Sequence, residues 1–289
     1  MASCPRCDVS SIASSPGRIE SVRRHSATVR ISHWINVVCL GFLLVSGLQI
    51  FNAYPRLHWG QVGANADRAV LEIGTVTGPG GPVGILRIGS LTIPGGGILG
   101  LSEQAGQLRP RAFPAWMTLP SWQDLATGRR WHFFFAWLFV INGLVYLANG
   151  FVTRHFRRDL VPDRDQLTPR HLLHEVADHA RLRFPKGAEA RRYNALQKFS
   201  YLAVIFVLLP LMLLTGLTMS PGFDAIAPFL LDLFGGRPSA RTLHFISASL
   251  LVLFVVVHVV MVLVSGVWNN MRSMITGRYD ISVDAKANP

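Results

Sequence analysis

Four stretches of this chain, each at least 21 residues long, contain no Asp, Glu, Lys or Arg. They are Ile31–Phe51, Trp131–Phe151, Phe199–Met219 and Leu243–Trp268. About 20 residues, rising roughly 1.5 Å each, cross a hydrocarbon core of about 30 Å. A water-soluble fold would need four unusually long helices, apolar on every face. The stretches therefore predict an all-α membrane protein, a bundle of four transmembrane helices. Half of the residues are hydrophobic and only 15% are charged, against about 25% in soluble domains. So much apolar surface excludes disorder, and three cysteines in 289 residues exclude a disulfide scaffold.

The net charge of +12 raises nucleic-acid binding, and the placement of the charge answers it. Of the 28 basic residues, 19 fall before Ile31, in Val152–Lys198 or after Trp268; the other 9 lie in Asn52–Arg130 and Ser220–Thr242. Basic residues accumulate on the cytoplasmic side of a membrane. Both termini are expected there, in an inner membrane in contact with lipid, with no nucleic-acid partner. The first span is too long for a signal-peptide core and no cleavage pattern precedes it, so it is expected to stay as an anchor. Residues 1–24 then read as a polar tail, 25–279 as the membrane domain and 280–289 as a second tail.

The outer loop 52–130 is too long for a plain connector and should fold or carry function. Its Gly-rich middle, Gly74–Gly100, alternates short β-branched runs with Gly/Pro turns, which suggests a small hairpin. No GK[ST] follows and no helix opens there, so turn chemistry is favoured over a phosphate cradle. GFDAIAPFLLDLFGG, between the third and fourth spans, reads as a short interfacial helix. The four spans show no internal repeat. CPRC at Cys4–Cys7 is half a metal motif in a polar tail, and HLLHEVADH, with His171, His174 and His179, reads as a solvated amphipathic helix.

Ionisable residues inside a bilayer are costly and call for a reason. His33, His132, His244 and His258 lie within or at the edge of the spans. His244 and His258 are 14 residues apart on one span, so they share a face and stand about 21 Å apart along the axis. The topology puts His33 at the depth of His258 and His132 at the depth of His244. Two bis-imidazole pairs stacked in a four-helix bundle match the axial ligands of two b-type haems. Zinc would want four ligands in one shell, and the spans offer no carboxylate and only Cys39 as a thiol. Gly41, Gly47, Gly143, Ser247 and Ser249 leave room for a planar cofactor, although small residues also serve bare helix packing. Asn142 and Asn149 fit helix–helix hydrogen bonds, and Pro210 fits a kink. Arg30 and Arg241, near the haem-proximal span ends, can neutralise haem propionates or meet lipid phosphates.

Several motifs resemble one known group. RxxHW at Arg30–Trp34, a His opening the second span, YNALQK at Tyr193–Lys198 and the fourth-span His pair are similar to the di-haem cytochrome b subunits of respiratory formate dehydrogenases, nickel hydrogenases and thiosulfate reductases. PSWQDLATGRRWHFFFAWLFV, ARRYNALQKFSYLAV and NNMRSMITGRY carry a closer likeness to the thiosulfate-reductase type. The resemblance runs from about Arg24 to Tyr279. It implies electron relay between a membrane quinone and a catalytic subunit, often a molybdopterin oxidoreductase, here on the outer face. It also implies that Asn194, Gln197 and Lys198 hydrogen-bond the quinone near His258. From the residues alone, Lys198 could instead snorkel and Asn194 cap the helix. A stand-alone quinone- or superoxide-linked cytochrome, and a haem-free proton carrier, remain as alternatives.

Overall fold

The computed structural model describes residues 18–63, 67–104, 106–162, 168–170, 173, 175, 177 and 195–283. Cys4, Cys7, His171, His174, His179 and Asn194 lie outside them.

Four long helices are present among the described residues, and each is apolar enough to cross a membrane. The first, α1 (Ala27–Ala53), starts four residues before its charge-free stretch, because the Ser26 hydroxyl accepts the Val29 N–H and caps the helix. The second, α2 (Leu125–Val152), is capped by Asp124, which accepts the Thr127 N–H at 3.0 Å. That bond holds the Asp124 carboxyl below the usual range. The third, α3 (Ala195–Thr218), is capped from outside itself: the Glu175 carboxylate accepts the N–H groups of Ala195 and Leu196 at 3.1 and 3.0 Å.

Pro210 marks an irregularity in α3, as expected. Proline has no N–H to return and its ring presses on the carbonyl four residues back. Just ahead of it the helix widens over Val204–Leu208, with the Leu209 N–H reaching the Val204 carbonyl five residues away. Two short helices follow, α4 (Pro221–Asp224) and α5 (Phe229–Phe234), where one was expected. Ile226, Phe229 and Leu233 there are exposed, as suits a segment at the lipid interface. The fourth long helix, α6 (Arg237–Val264), leads into a shorter α7 (Val267–Thr276).

Close helix packing is concentrated in two pairs, α1 with α2 and α3 with α6. Asn142 ties the first pair together, donating to the Ser32 carbonyl at 3.0 Å and to the Asn36 side chain at 2.8 Å.

The loop between α1 and α2 is more than a hairpin. Strands β2 (Arg56–Leu57), β3 (Leu71–Gly78), β4 (Gly81–Ile88) and β5 (Leu91–Pro94) form one antiparallel sheet in that order, and β6 (Leu101–Gln104) pairs with β7 (Gln107–Pro110). Ile73 faces Leu86 across β3 and β4, and both join a core with Phe51, Leu57, Ala112 and Phe113. Phe245 of α6 packs on this core, so the sheet is seated on the ends of α1 and α6. Where the chain crosses the sheet, glycine is needed for closeness, and at Gly100 for a positive φ as well. A Cβ on Gly84 or Gly95 would land on the Leu99 carbonyl oxygen, and one on Gly100 on that of Gly74.

The two segments read as tails are also partly structured. β1 (Arg18–Arg23) pairs antiparallel with β8 (Arg278–Val283), with Val22 opposite Tyr279. The Arg24 guanidinium lies over the Tyr279 ring, 4.6 Å from its centroid.

Candidate functional site

The sequence spaces His244 and His258 on one face of α6, and the helix pairs bring a second imidazole to each. The His33 and His258 ring centroids are 6.4 Å apart with planes at 57°, and those of His132 and His244 are 6.4 Å apart at 61°. Two imidazoles bound trans to one metal, through bonds of about 2 Å, hold their centroids roughly 6 Å apart. Each gap therefore has the width of a bis-imidazole metal site. Among the described residues no cluster of three or more His, Cys, Asp or Glu could hold a metal, and buried Cys39 is a free thiol. Two protein donors alone leave an in-plane set to be filled from elsewhere, which is what a porphyrin supplies.

The His132–His244 pair is held by residues that sequence reasoning passed over. Ser46 lies 3.1 Å from His132 Nδ1, and Thr215 lies 3.1 Å from His244 Nδ1. The Met212 carbonyl is also 3.1 Å from His244 Nδ1. Gly47 and Gly216 come next in the chain, and a Cβ on either would sit 3.4 Å from Cε1 of the same imidazole. The available signal was a five-residue echo, LVSGL at 44–48 and LLTGL at 213–217, hidden when whole spans are compared. Of the other small residues, Gly41 and Gly143 border open space, Ser247 is buried, and Ser249 donates to its own helix at Phe245.

The opposite end is built differently. His33 Nδ1 is buried and has no hydrogen-bond partner among the described residues. His258 stacks on Phe254, and Phe254 meets Tyr201 of α3 edge-on. Lys198, one turn before Tyr201, is only 4% exposed, and its Nζ donates to the Val161 carbonyl at 3.4 Å. Gln197 beside it is half-buried. Burial and the neighbouring Arg24 push His25, just ahead of α1, down to about 4, with His33, His155 and Arg30 adding to the shift.

Arg30 and Arg241 occupy equivalent places, each three residues before a pair histidine. Arg30 donates to the Ile275 carbonyl and keeps a buried Nε that has no partner among the described residues. Arg241 donates to the Tyr54 carbonyl, and its guanidinium lies near the rings of Phe51 and Tyr54, 5.5 and 5.3 Å from their centroids.

A further buried cation was not singled out in the sequence. Arg111 is 3% exposed and donates to the Ser121 carbonyl, Gln49 and Thr118. Burial lowers its pKa from the usual arginine value. It joins the sheet domain to α1 one turn beyond Ser46. Arg111→Leu strands those three acceptors and is expected to cost about 2–4 kcal/mol, read as a lower thermal unfolding midpoint in detergent.

A family model for prokaryotic cytochrome b561 matches residues 24–277. A relative from Azospira oryzae, named as a subunit of a protein-methionine-sulfoxide reductase, is 27% identical over 238 residues, covering 82% of this chain and 89% of that protein. No solved structure matches the chain. The chain belongs to the prokaryotic cytochrome b561 family. It is a multi-pass membrane electron-transfer protein of bacterial type, and b-type haem is the cofactor that its family implies.

Proposed function

We propose that this cytochrome b holds two b-type haems, one between His33 and His258 and one between His132 and His244, and relays electrons between a quinone and an oxidoreductase subunit. The observation that carries this is the pair of 6.4 Å imidazole gaps, set about 21 Å apart along α6. A haem held at either pair would supply one-electron transfer. The chain supplies the axial nitrogens, the spacing and the charges. Arg30 and Arg241 supply positive charge one turn from a ligand of each pair, suited to haem propionates. The purified protein should show a reducible b-type α-band and two haems per chain; a spectrum without that band overturns the reading.

The basic inner loop favours a topology with both termini cytoplasmic, the His33–His258 pair on the inner side and the sheet domain outside. Asn194, Gln197 and Lys198 then form the quinone site, with the buried Lys198 ammonium donating to a quinone oxygen. A hydrogen bond from a charged donor is worth about 1.5–3 kcal/mol, or roughly ten- to a hundredfold in affinity. Lys198→Ala should raise the KM for a quinol analogue about tenfold or more while leaving haem content unchanged. An unchanged KM removes Lys198 from the site.

The outer partner is a molybdopterin-type oxidoreductase docked on the sheet domain. The likeness to thiosulfate-reductase cytochromes and the name of the Azospira relative both favour a partner acting on oxidised sulfur. Co-purification of such a subunit in mild detergent supports this. A cytochrome that oxidises quinol with no second subunit bound supports the stand-alone alternative.

A further inference from the structure

The His132–His244 pair is gripped by two matching devices, and counting hydrogens shows what they do. A hydroxyl has one hydrogen to give. The Ser46 hydroxyl is 2.6 Å from the Phe42 carbonyl, and the Thr215 hydroxyl is 2.6 Å from the Leu211 carbonyl, each four residues back on its own helix. With that hydrogen spent, either oxygen can only accept from the histidine 3.1 Å away. The Met212 carbonyl facing His244 Nδ1 can also only accept. Both rings therefore carry their hydrogen on Nδ1 and leave Nε2 with the free lone pair, the form a metal needs.

We infer that Ser46 and Thr215, each followed by a glycine, are positioning residues for the His132–His244 haem. They lock the tautomer and tilt of both axial imidazoles and hold that haem at a lower potential than the same ligands would give unheld. The inference rests on the four histidines being haem ligands. An Nδ1–H that donates makes the imidazole a stronger base. A stronger base favours ferric over ferrous iron, so the midpoint potential falls. Among the described residues the His33–His258 pair lacks this device on at least one side, since His33 Nδ1 has no partner there. Gly47 and Gly216 complete the cradle. A bare Cβ at 3.4 Å from Cε1 is tolerable, whereas the branched methyls of valine would reach into the ring.

The device is repeated on unlike helices. α1 presents Ser46 and Gly47 to a histidine of its neighbour α2, and α3 presents Thr215 and Gly216 to a histidine of its neighbour α6. One short motif thus serves both halves of a single cofactor site, which is a stronger pattern than a hydroxyl beside one histidine.

The test is a redox titration of the purified full chain followed at the haem α-band, with low-spin ferric EPR as a second readout. In the double variant Ser46→Ala/Thr215→Ala, which removes both hydroxyls and leaves only the Leu43 and Met212 carbonyls facing the two rings, haem content should stay at two. One midpoint should rise while the other holds, and one EPR signal should move as the ligand planes relax. The conservative pair Ser46→Thr/Thr215→Ser should restore both. Gly47→Val should expel one haem. Two unchanged midpoints, or equal shifts of both, overturn the inference. Retention of two haems by His132→Ala and His244→Ala would instead sink the ligand reading beneath it, so the two failures are distinguishable.

Discussion

His258→Ala is expected to take this protein from two haems per chain to about one, and the haem that remains should keep the optical and redox signature it has in the unaltered protein. The proposed pairs share no ligand. Their imidazoles sit on different turns of α6, about 21 Å apart, and each pair closes with a different helix, α1 or α2. Loss of a hydrogen bond to a ligand typically costs ten- to a hundredfold in metal affinity, and loss of the ligand itself costs more. His244→Ala should give the complementary loss, and the double variant should hold no haem. Pyridine haemochrome assay of each purified variant counts the haem directly. Loss of both haems from either single variant, in protein that still elutes as a folded species, would show that the sites are not independent.

Gly84→Ala and Gly100→Ala are expected to break the sheet between α1 and α2 while sparing the haems. At both positions the added carbon would fall on a backbone carbonyl, of Leu99 and of Gly74 respectively. Gly100 also has φ of +81°, a region costly for an L side chain. No rotamer change relieves a clash between backbones, so strands must part, at a cost of at least about 3 kcal/mol. The readout is limited proteolysis of the sheet domain in detergent, with haem counted in parallel. Both variants should be cut within residues 67–104 at protease levels that leave the parent intact. Gly80→Ala, where a Cβ meets nothing within 4 Å, should behave like the parent. Equal resistance in Gly84→Ala would mean that the chain does not cross so closely at that point.

The four spans were legible because hydropathy reports the slab a helix crosses, and no other fold accommodates such stretches. Their ends were less so: α1 and α2 both begin in residues such as Thr28 and Arg129 that a hydropathy profile discards, since caps, not lipid, decide where a helix starts. Glu175 capping α3 from outside that helix was invisible for the same reason. The histidine pairs were legible through spacing on one helix plus topology. Ser46 and Thr215 were not, because a small polar residue in a span reads equally well as packing. Arg111 was hidden in a loop whose fold depends on glycines working as thin places, a use that looks like turn chemistry in one dimension. The paired strands β1 and β8 were missed because a run of six residues is too short for its alternation to stand out, and their pairing joins segments more than 250 residues apart.

That last pairing has a consequence for how the molecule is made. Arg18–Arg23 is synthesised before the first span and Arg278–Val283 after the fourth, so β1 must wait, unsatisfied, until every helix has been threaded. It finds its partner only if the number of crossings between them is even. A chain that skipped a span would leave the two strands on opposite faces of the membrane, with no means of meeting. The strand pair therefore works as a parity check on insertion, closed by the final turn of biosynthesis.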